Sequence, residues 1–206
     1  MIGVSWKDLG KKFGLRWVFK NLSGTISPGE HVLIKGSNGS GKSTFGKLIV
    51  AASDPTSGSF KWEQNGTDIS ADELPQEIAW SSPFMEIPED ITVSEALEFH
   101  STFRAPWDDT KLTDLAKSSG LDKHLDAPIL ALSSGLKQRL RLTLAMGTKS
   151  GLVVLDEPCS NLDERGIAWY GHQLAALVKK TTVVVCSNEK VFEFLPSATI
   201  IDLTKD

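Results

Sequence analysis

Residues Gly36 to Ser43 read GSNGSGKS, the pattern G-x-x-x-x-G-K-[ST], with Thr44 following. Ahead of them His31 to Lys35 reads as a strand, and Lys42 to Ala52 reads as the helix after it. A glycine-rich turn between strand and helix gathers several backbone N–H groups around one point. The helix N-terminus adds a partial positive charge there. Gly36, Ser37, Asn38, Gly39, Ser40 and Gly41 form the turn that wraps phosphate oxygens. Lys42 reaches the β- and γ-phosphates, and the Ser43 hydroxyl, beside Thr44, takes a place on Mg²⁺. From average residue frequencies, a chance match in a chain of this size is on the order of 1%. Nucleotide binding is therefore the expectation that the rest of the sequence must fit.

The surroundings agree with such a loop. Short apolar runs at Gly58 to Gln64, Glu77 to Ser81, Leu152 to Leu155, Thr182 to Cys186 and Ala198 to Leu203 read as strands. An amphipathic helix is expected from Asp163 to Val178. This alternation argues for an α/β fold with a largely parallel sheet. From about Pro88 to Leu132 the strand signal disappears. There Thr92 to Phe103 carries Val93, Ala96 and Leu97 at helical spacing, and Asp108 to Lys117 continues with Leu112 and Leu115. The pattern predicts an α/β core carrying a helical insertion.

Composition narrows the function classes. The 206 residues, at roughly 150 per domain, suit one compact domain with an insertion. A chain 40% hydrophobic and 23% charged is neither disordered nor collagen-like. Its 22 Lys+Arg against 26 Asp+Glu leave a net charge of −4 with no basic stripe, so no nucleic-acid partner is expected. No apolar run approaches the roughly 18 residues that span a bilayer, and the N-terminus does not read as a signal peptide. A soluble, cytoplasmic chain is the expectation. Cys159 and Cys186 make no disulfide framework or metal set and are expected to be reduced, buried thiols.

A second motif, GLVVLDEP from Gly151 to Pro158, is an apolar strand ending in Asp156 and Glu157. In phosphate-loop NTPases a strand-terminal aspartate holds Mg²⁺. An adjacent glutamate can accept a proton from the water that attacks the γ-phosphate. Taken alone, the same residues describe a strand ending in a solvated acidic turn.

With Ser160-Asn161-Leu162-Asp163 following, this strand resembles the extended Walker B and D-loop of ATP-binding cassette (ABC) proteins. Leu132 to Arg139, LSSGLKQR, resembles the signature LSGGQ of that family and the basic helix after it. The order of motifs matches over nearly the whole chain. The resemblance implies an α/β P-loop NTPase: an ABC-type core (1–83 and 151–206) with a small antiparallel β region and an inserted α-helical subdomain at about 84–150. It also implies ATP and Mg²⁺, and a head-to-tail dimer in which Ser133, Ser134 and Gly135 cap the γ-phosphate bound by the other subunit. A helix N-terminus suits that task, and plain helix capping by Ser133 or Ser134 is compatible with it. Asp163 falls on the D-loop.

Four positions need care against the family pattern, the last three as departures from it. Phe13 stands where an aromatic residue stacks on adenine, with Trp17 the other candidate and a ring covering a β-ribbon the plainer reading. Pro83 stands at the Q-loop glutamine, so Ser82 or a water has to substitute, while Gln76 lies before the strand. Leu136 replaces the last glutamine of the signature. Asn188 replaces the switch histidine and can donate a hydrogen bond to a γ-phosphate oxygen without carrying charge. None of the four histidines falls at that place. With Glu157 in place, hydrolysis remains the expectation, with Glu157, Lys42 and Asn188 as catalytic residues.

The resemblance implies a nucleotide-binding subunit of an ABC transporter, peripheral on the inner face of the cytoplasmic membrane. Its partners would be a second cassette, identical or different, and an integral membrane subunit. That subunit would dock near Pro83 to Asp90, where Phe84, Met85 and Ile87 are apolar on an expected loop. These residues could equally pack the two lobes together. The alternative is a soluble or regulatory ABC ATPase with slow hydrolysis and no transport role. DNA-repair relatives carry coiled-coil insertions and translation-factor relatives carry two cassettes, and neither feature is present here.

Overall fold

The computed structural model describes residues 1–188 and 191–203. In chain order the elements are β1 (Ile2–Phe13), β2 (Arg16–Ile26), β3 (His31–Lys35), α1 (Lys42–Ile49), β4 (Ser57–Gln64), β5 (Thr67–Ile69), α2 (Leu74–Glu77) and β6 (Ile78–Ser81). Then follow α3 (Val93–Phe103), α4 (Leu112–Ala116), α5 (Ser134–Gly147), β7 (Leu152–Asp156), α6 (Glu164–Leu177), β8 (Thr182–Ser187) and β9 (Thr199–Asp202), with short 3-10 and π turns between. This is the expected α/β class, with a parallel sheet, an antiparallel sheet and a helical stretch between β6 and β7.

The parallel sheet has the order β6-β7-β8-β3-β9. Its central strands are buried on both faces, which is why they read as continuous apolar runs rather than alternating ones. Every strand of a parallel sheet points the same way. The carboxyl ends Lys35, Ser81, Asp156 and Ser187 therefore lie along one edge, where open α/β sheets bind ligands.

The antiparallel sheet, β2-β1-β4-β5, covers α1 from the other side. Phe45 of α1 meets Trp6 edge-on at 5.2 Å and Phe19 at 6.0 Å. Trp62 of β4 donates its indole N–H to the Ile49 carbonyl at 2.8 Å. These contacts fix α1, and the loop before it, between the two sheets. The opposite face of the parallel sheet packs on α5 and α6 through Leu142, Met146, Tyr170 and Leu174. A third apolar cluster, around Val93, Leu97, Leu112 and Leu140, is internal to the helical region.

Two helices are shorter than their patterns suggest. The helix expected to Ala52 ends at Ile49, and Ala51 takes a left-handed φ of 53° that no helix continues through. The helix expected from Asp108 begins at Leu112. The residues before it form a turn in which the Thr110 N–H donates to the Trp107 carbonyl at 2.9 Å. Both cysteines are buried thiols outside any disulfide, as expected. Burial pushes the Cys186 thiol well above its ordinary pKa.

Candidate functional site

Between β3 and α1 the backbone takes a shape that side chains would obstruct. Gly39 and Gly41 have φ of 83° and 99°. A Cβ on Gly41 would stand 2.4 Å from Val18 Cγ1, and one on Gly36 would stand 2.2 Å from Ser40 Oγ. The β1–β2 hairpin is thereby packed directly on the loop. Gly41 caps α1 without a side-chain hydrogen bond, so the first amides of the helix are left for another acceptor. Lys42 is buried, and its ammonium donates to the Gly36 and Ser37 carbonyls at 2.8 and 3.0 Å. Ser40 Oγ is buried, with no hydrogen-bond partner among the described residues. A buried ammonium held by neutral carbonyls, an orphaned hydroxyl and an uncapped helix start fit a polyphosphate anion.

The neighbouring strand ends supply the second corner. Asp156 is buried at the end of β7 and accepts from Ser43 Oγ on Oδ1 at 3.1 Å. It also accepts from Ser82 Oγ on Oδ2 at 3.3 Å. Burial raises the Asp156 pKa above the usual carboxylate range, although the Ser43 hydrogen bond opposes the shift. A desolvated carboxylate beside a phosphate-loop hydroxyl has the donor chemistry that Mg²⁺ takes, so Ser43 and Asp156 fit that ion. Ser82, just past β6 and 1% exposed, brings a hydroxyl to the place where Pro83 has no ligand to offer.

Glu157 follows at φ 43°, a left-handed conformation that is uncommon for glutamate. Its N–H donates to the Cys186 carbonyl at 2.9 Å, and its own carbonyl accepts from the Ser160 N–H at 3.0 Å, so the turn after β7 is tight. Asn188, just past β8, donates its side-chain N–H to Asn38 Oδ1 of the phosphate loop. Residues 36–44, Ser82, Asp156 and Asn188 are thus drawn together by hydrogen bonds, with Glu157 next in chain to Asp156.

Ser133, Ser134 and Gly135 stand elsewhere. Ser133 caps α5 by accepting from the Leu136 N–H at 3.3 Å. Ser133 and Ser134 are exposed. A Cβ on Gly135 would stand 2.7 Å from the Asn161 carbonyl oxygen, so this turn packs on the segment after Glu157. Asp163 caps α6 through the Gly166 N–H at 2.8 Å and pairs with Arg139. Its carboxylate is thus engaged inside its own chain.

Phe13, ending β1, is 61% exposed, with the Lys11 ammonium 5.3 Å from its ring. The Trp17 ring meets two ammoniums, of Lys12 at 5.4 Å and Lys20 at 4.8 Å. Phe13 therefore offers the more open aromatic face.

Two buried residues carry no signal in the sequence. Gln138 donates from Nε2 to the Pro158 carbonyl at 3.0 Å, tying α5 to the Glu157 turn. Glu193 accepts from the Cys159 N–H at 3.3 Å and from the Ser187 hydroxyl. Each is a polar residue in an unremarkable stretch, and only the tertiary fold brings it to the site.

A groove of about 490 Å³ opens between the parallel sheet and the helical region, lined by Trp80, Met85, Ile87, Ile91, Phe99 and Arg141 among others. Of the apolar trio in the loop after β6, Met85 and Ile87 face this groove, and Ile87 also packs on the helical cluster. Phe84 is 80% exposed.

A parallel sheet with a glycine-rich loop and a serine–aspartate corner at its carboxyl edge defines a P-loop NTPase. Residues 19–160 match the family described as ABC transporter. The chain belongs to that family, among its ATP-binding subunits. It is 29% identical over 184 residues to "Cytochrome c biogenesis ATP-binding export protein CcmA" of Salmonella typhi, covering 89% of this chain and 88% of that protein. The Vibrio parahaemolyticus protein of the same name is 30% identical over 74% of this chain and 75% of its own.

Among solved structures, a Pyrococcus furiosus protein described as "Putative ABC transporter (ATP-binding protein)" superposes with a TM-score of 0.79 at 22% identity, covering 98% of each chain. A dimeric ATP-binding cassette in a post-hydrolysis state, bound to ADP and Pi, also gives 0.79, at 24% identity over 97% of this chain and 93% of that one. Among the described residues, no helix is long and apolar enough to cross a membrane.

Proposed function

We propose that this chain hydrolyses MgATP to power an ABC transporter, as one of a head-to-tail pair of cassettes docked on a separate membrane subunit. The observation that carries this reading is the joint placement of Lys42, Ser43 and Asp156, a cation, a hydroxyl and a buried carboxylate at one helix start. In this reading residues 36–44 hold the phosphates, with Lys42 on the β- and γ-groups. Mg²⁺, held through Ser43 and Asp156, would neutralise charge on the phosphate oxygens. Ser82 donates to Asp156 from the other side and offers a hydroxyl where Pro83 has no ligand. Glu157 accepts the proton of the attacking water, Asn188 donates to a γ-phosphate oxygen and Phe13 stacks on adenine.

The exposed start of α5 supports the paired arrangement. Its Ser133–Gly135 turn lies open to solvent, where it can reach a phosphate bound by another copy. In this division the core is 1–83 and 151–206, and the helical subdomain, about 84–150, forms one wall of the groove. The groove, with Phe99 exposed in its lining and Phe84 exposed in the loop after β6, suits an apolar helix of the membrane subunit and would place the chain at the inner face of the cytoplasmic membrane. The export relatives favour outward transport, and the membrane subunit would select the cargo.

A second reading, a slow regulatory cassette, draws on Asn188, which donates a hydrogen bond but carries no charge. Glu157→Gln tests both. On the first reading it binds MgATP like the parent and hydrolyses it about a hundredfold more slowly, as loss of a general base does. A parent rate too low for Glu157→Gln to reduce would favour the slow cassette. Equal, measurable rates would remove Glu157 from the mechanism.

A further inference from the structure

The turn carrying Glu157 and the strand end carrying Asn188 are separated in sequence by α6, yet one side chain holds both. Glu193 closes the 3-10 turn Val191–Glu193 and is 1% exposed. Its Oε1 accepts from the Cys159 N–H at 3.3 Å, two residues past Glu157. Its Oε2 accepts from the Ser187 hydroxyl, one residue before Asn188. Its backbone carbonyl accepts from the hydroxyl of Tyr170, buried in α6, at 2.8 Å. A carboxylate taken out of water is destabilising unless its oxygens find donors. Here the donors are the two functional segments themselves. Hydrogen bonds to a carboxylate are charge-assisted, so displacing either segment breaks a bond in a site that water does not reach.

We infer that Glu193 is a positioning residue for hydrolysis, locking the Glu157 turn to the Asn188 strand end. The inference rests on the roles proposed above for Glu157 and Asn188. Glu193 acts through its neighbours: the clamp keeps the proton acceptor and the γ-phosphate donor aimed at the same group. The backbone bond from the Glu157 N–H to the Cys186 carbonyl, at 2.9 Å, spans the same seam. It holds the main chain of the turn but leaves the segments beyond it, Cys159 onward and Ser187 onward, without their shared anchor. The hydrogen bonds from Cys159 and Ser187 to the Glu193 carboxylate join the segments that carry Glu157 and Asn188. The clamp therefore serves the rate of the chemical step rather than the grip on the phosphates.

The test compares kcat, KM for ATP and equilibrium ATP affinity for the parent, Glu193→Gln, Ser187→Ala, their double variant and Glu157→Gln. Glu193→Gln keeps the shape but turns one oxygen into a donor facing a donor. It is expected to lower kcat about tenfold with KM and affinity within about twofold of the parent. Ser187→Ala removes one arm only and is expected to lower kcat about threefold. The double variant should be no slower than Glu193→Gln, because both changes open one clamp. Should Glu193→Gln fail to fold, Ser187→Ala decides alone, and an unchanged kcat overturns the inference.

A loss of affinity as large as the loss of kcat would also overturn it, since a structural defect would reach the phosphate loop too. If Glu157→Gln is inactive while Glu193→Gln and Ser187→Ala turn over like the parent, the clamp alone is wrong. If Glu157→Gln itself hydrolyses at the parent rate, the mechanism on which the clamp rests is wrong as well.

Discussion

Two helix starts in this chain are suited to an anion, and they are built in opposite ways. α1 begins at Gly41 with no side-chain cap and with Lys42 buried beside its free amides. α5 begins at Ser133, which caps its own helix, lies exposed and has no acidic residue in the first turn. The first faces inward, packed under the β1–β2 hairpin and joined to Asp156 through Ser43. The second faces outward and packs on Asn161. The contrast separates two tasks. A preorganised, enclosed start grips a ligand within one chain, while an open one waits for a ligand that something else brings. On the proposed reading, binding belongs to the single chain and turnover to the pair.

The largest effect should come from the enclosed start. Lys42→Ala removes the side chain that, among the described residues, brings a buried ammonium to the loop. It is expected to weaken ATP binding by the isolated chain about a hundredfold, in line with loss of a charge-assisted hydrogen-bond donor. Equilibrium binding at fixed salt measures this, and unchanged affinity would dissolve the contrast from the α1 side.

Gly135→Ala should act next, and differently. The new Cβ would stand 2.7 Å from a backbone oxygen, that of Asn161, which has little room to move. A shift there costs about 1–3 kcal/mol and tilts the start of α5. The isolated chain should bind ATP like the parent while turnover falls about tenfold. An affinity loss as deep as that of Lys42→Ala would show the two starts to be one site.

The sequence is most readable where the site is local. Gly36 to Thr44 is a continuous run whose chemistry and conformation coincide, and Asp156 ends a strand of five residues buried throughout, with Glu157 next in the chain. The long strands β1 and β2 leave a weaker trace. Irregularities between Trp6 and Leu9, and again before Lys11 and Lys12, break the two-residue alternation. Asp8 and Asn21 take φ of 51° and 52° within these strands. The two-residue spacing of Ile2, Val4 and Trp6 is therefore lost within the strand, and Leu9 is buried out of phase with it. Glu193 and Gln138 are hidden for another reason. Each acts on a backbone group 34 or 20 residues away, and nothing in spacing encodes that meeting.

The smallest effect isolates the outward start most cleanly, because Ser133 has a structural task that can be kept or removed by itself. Ser133→Ala deletes the acceptor for the Leu136 N–H and should cost about 1 kcal/mol of stability, a fall of about 2–4 °C in Tm for a domain of this size. Ser133→Asp keeps an acceptor at the cap, and its negative charge suits the helix start, so its Tm should match or exceed the parent's. The same charge repels a phosphate brought up to that start. If α5 serves only its own helix, Ser133→Asp will hydrolyse ATP like the parent and Ser133→Ala will be the worse of the two. If it reads an anion bound by another copy, the order in turnover reverses while the order in Tm stays. Only an anion arriving from outside the helix separates the two rankings.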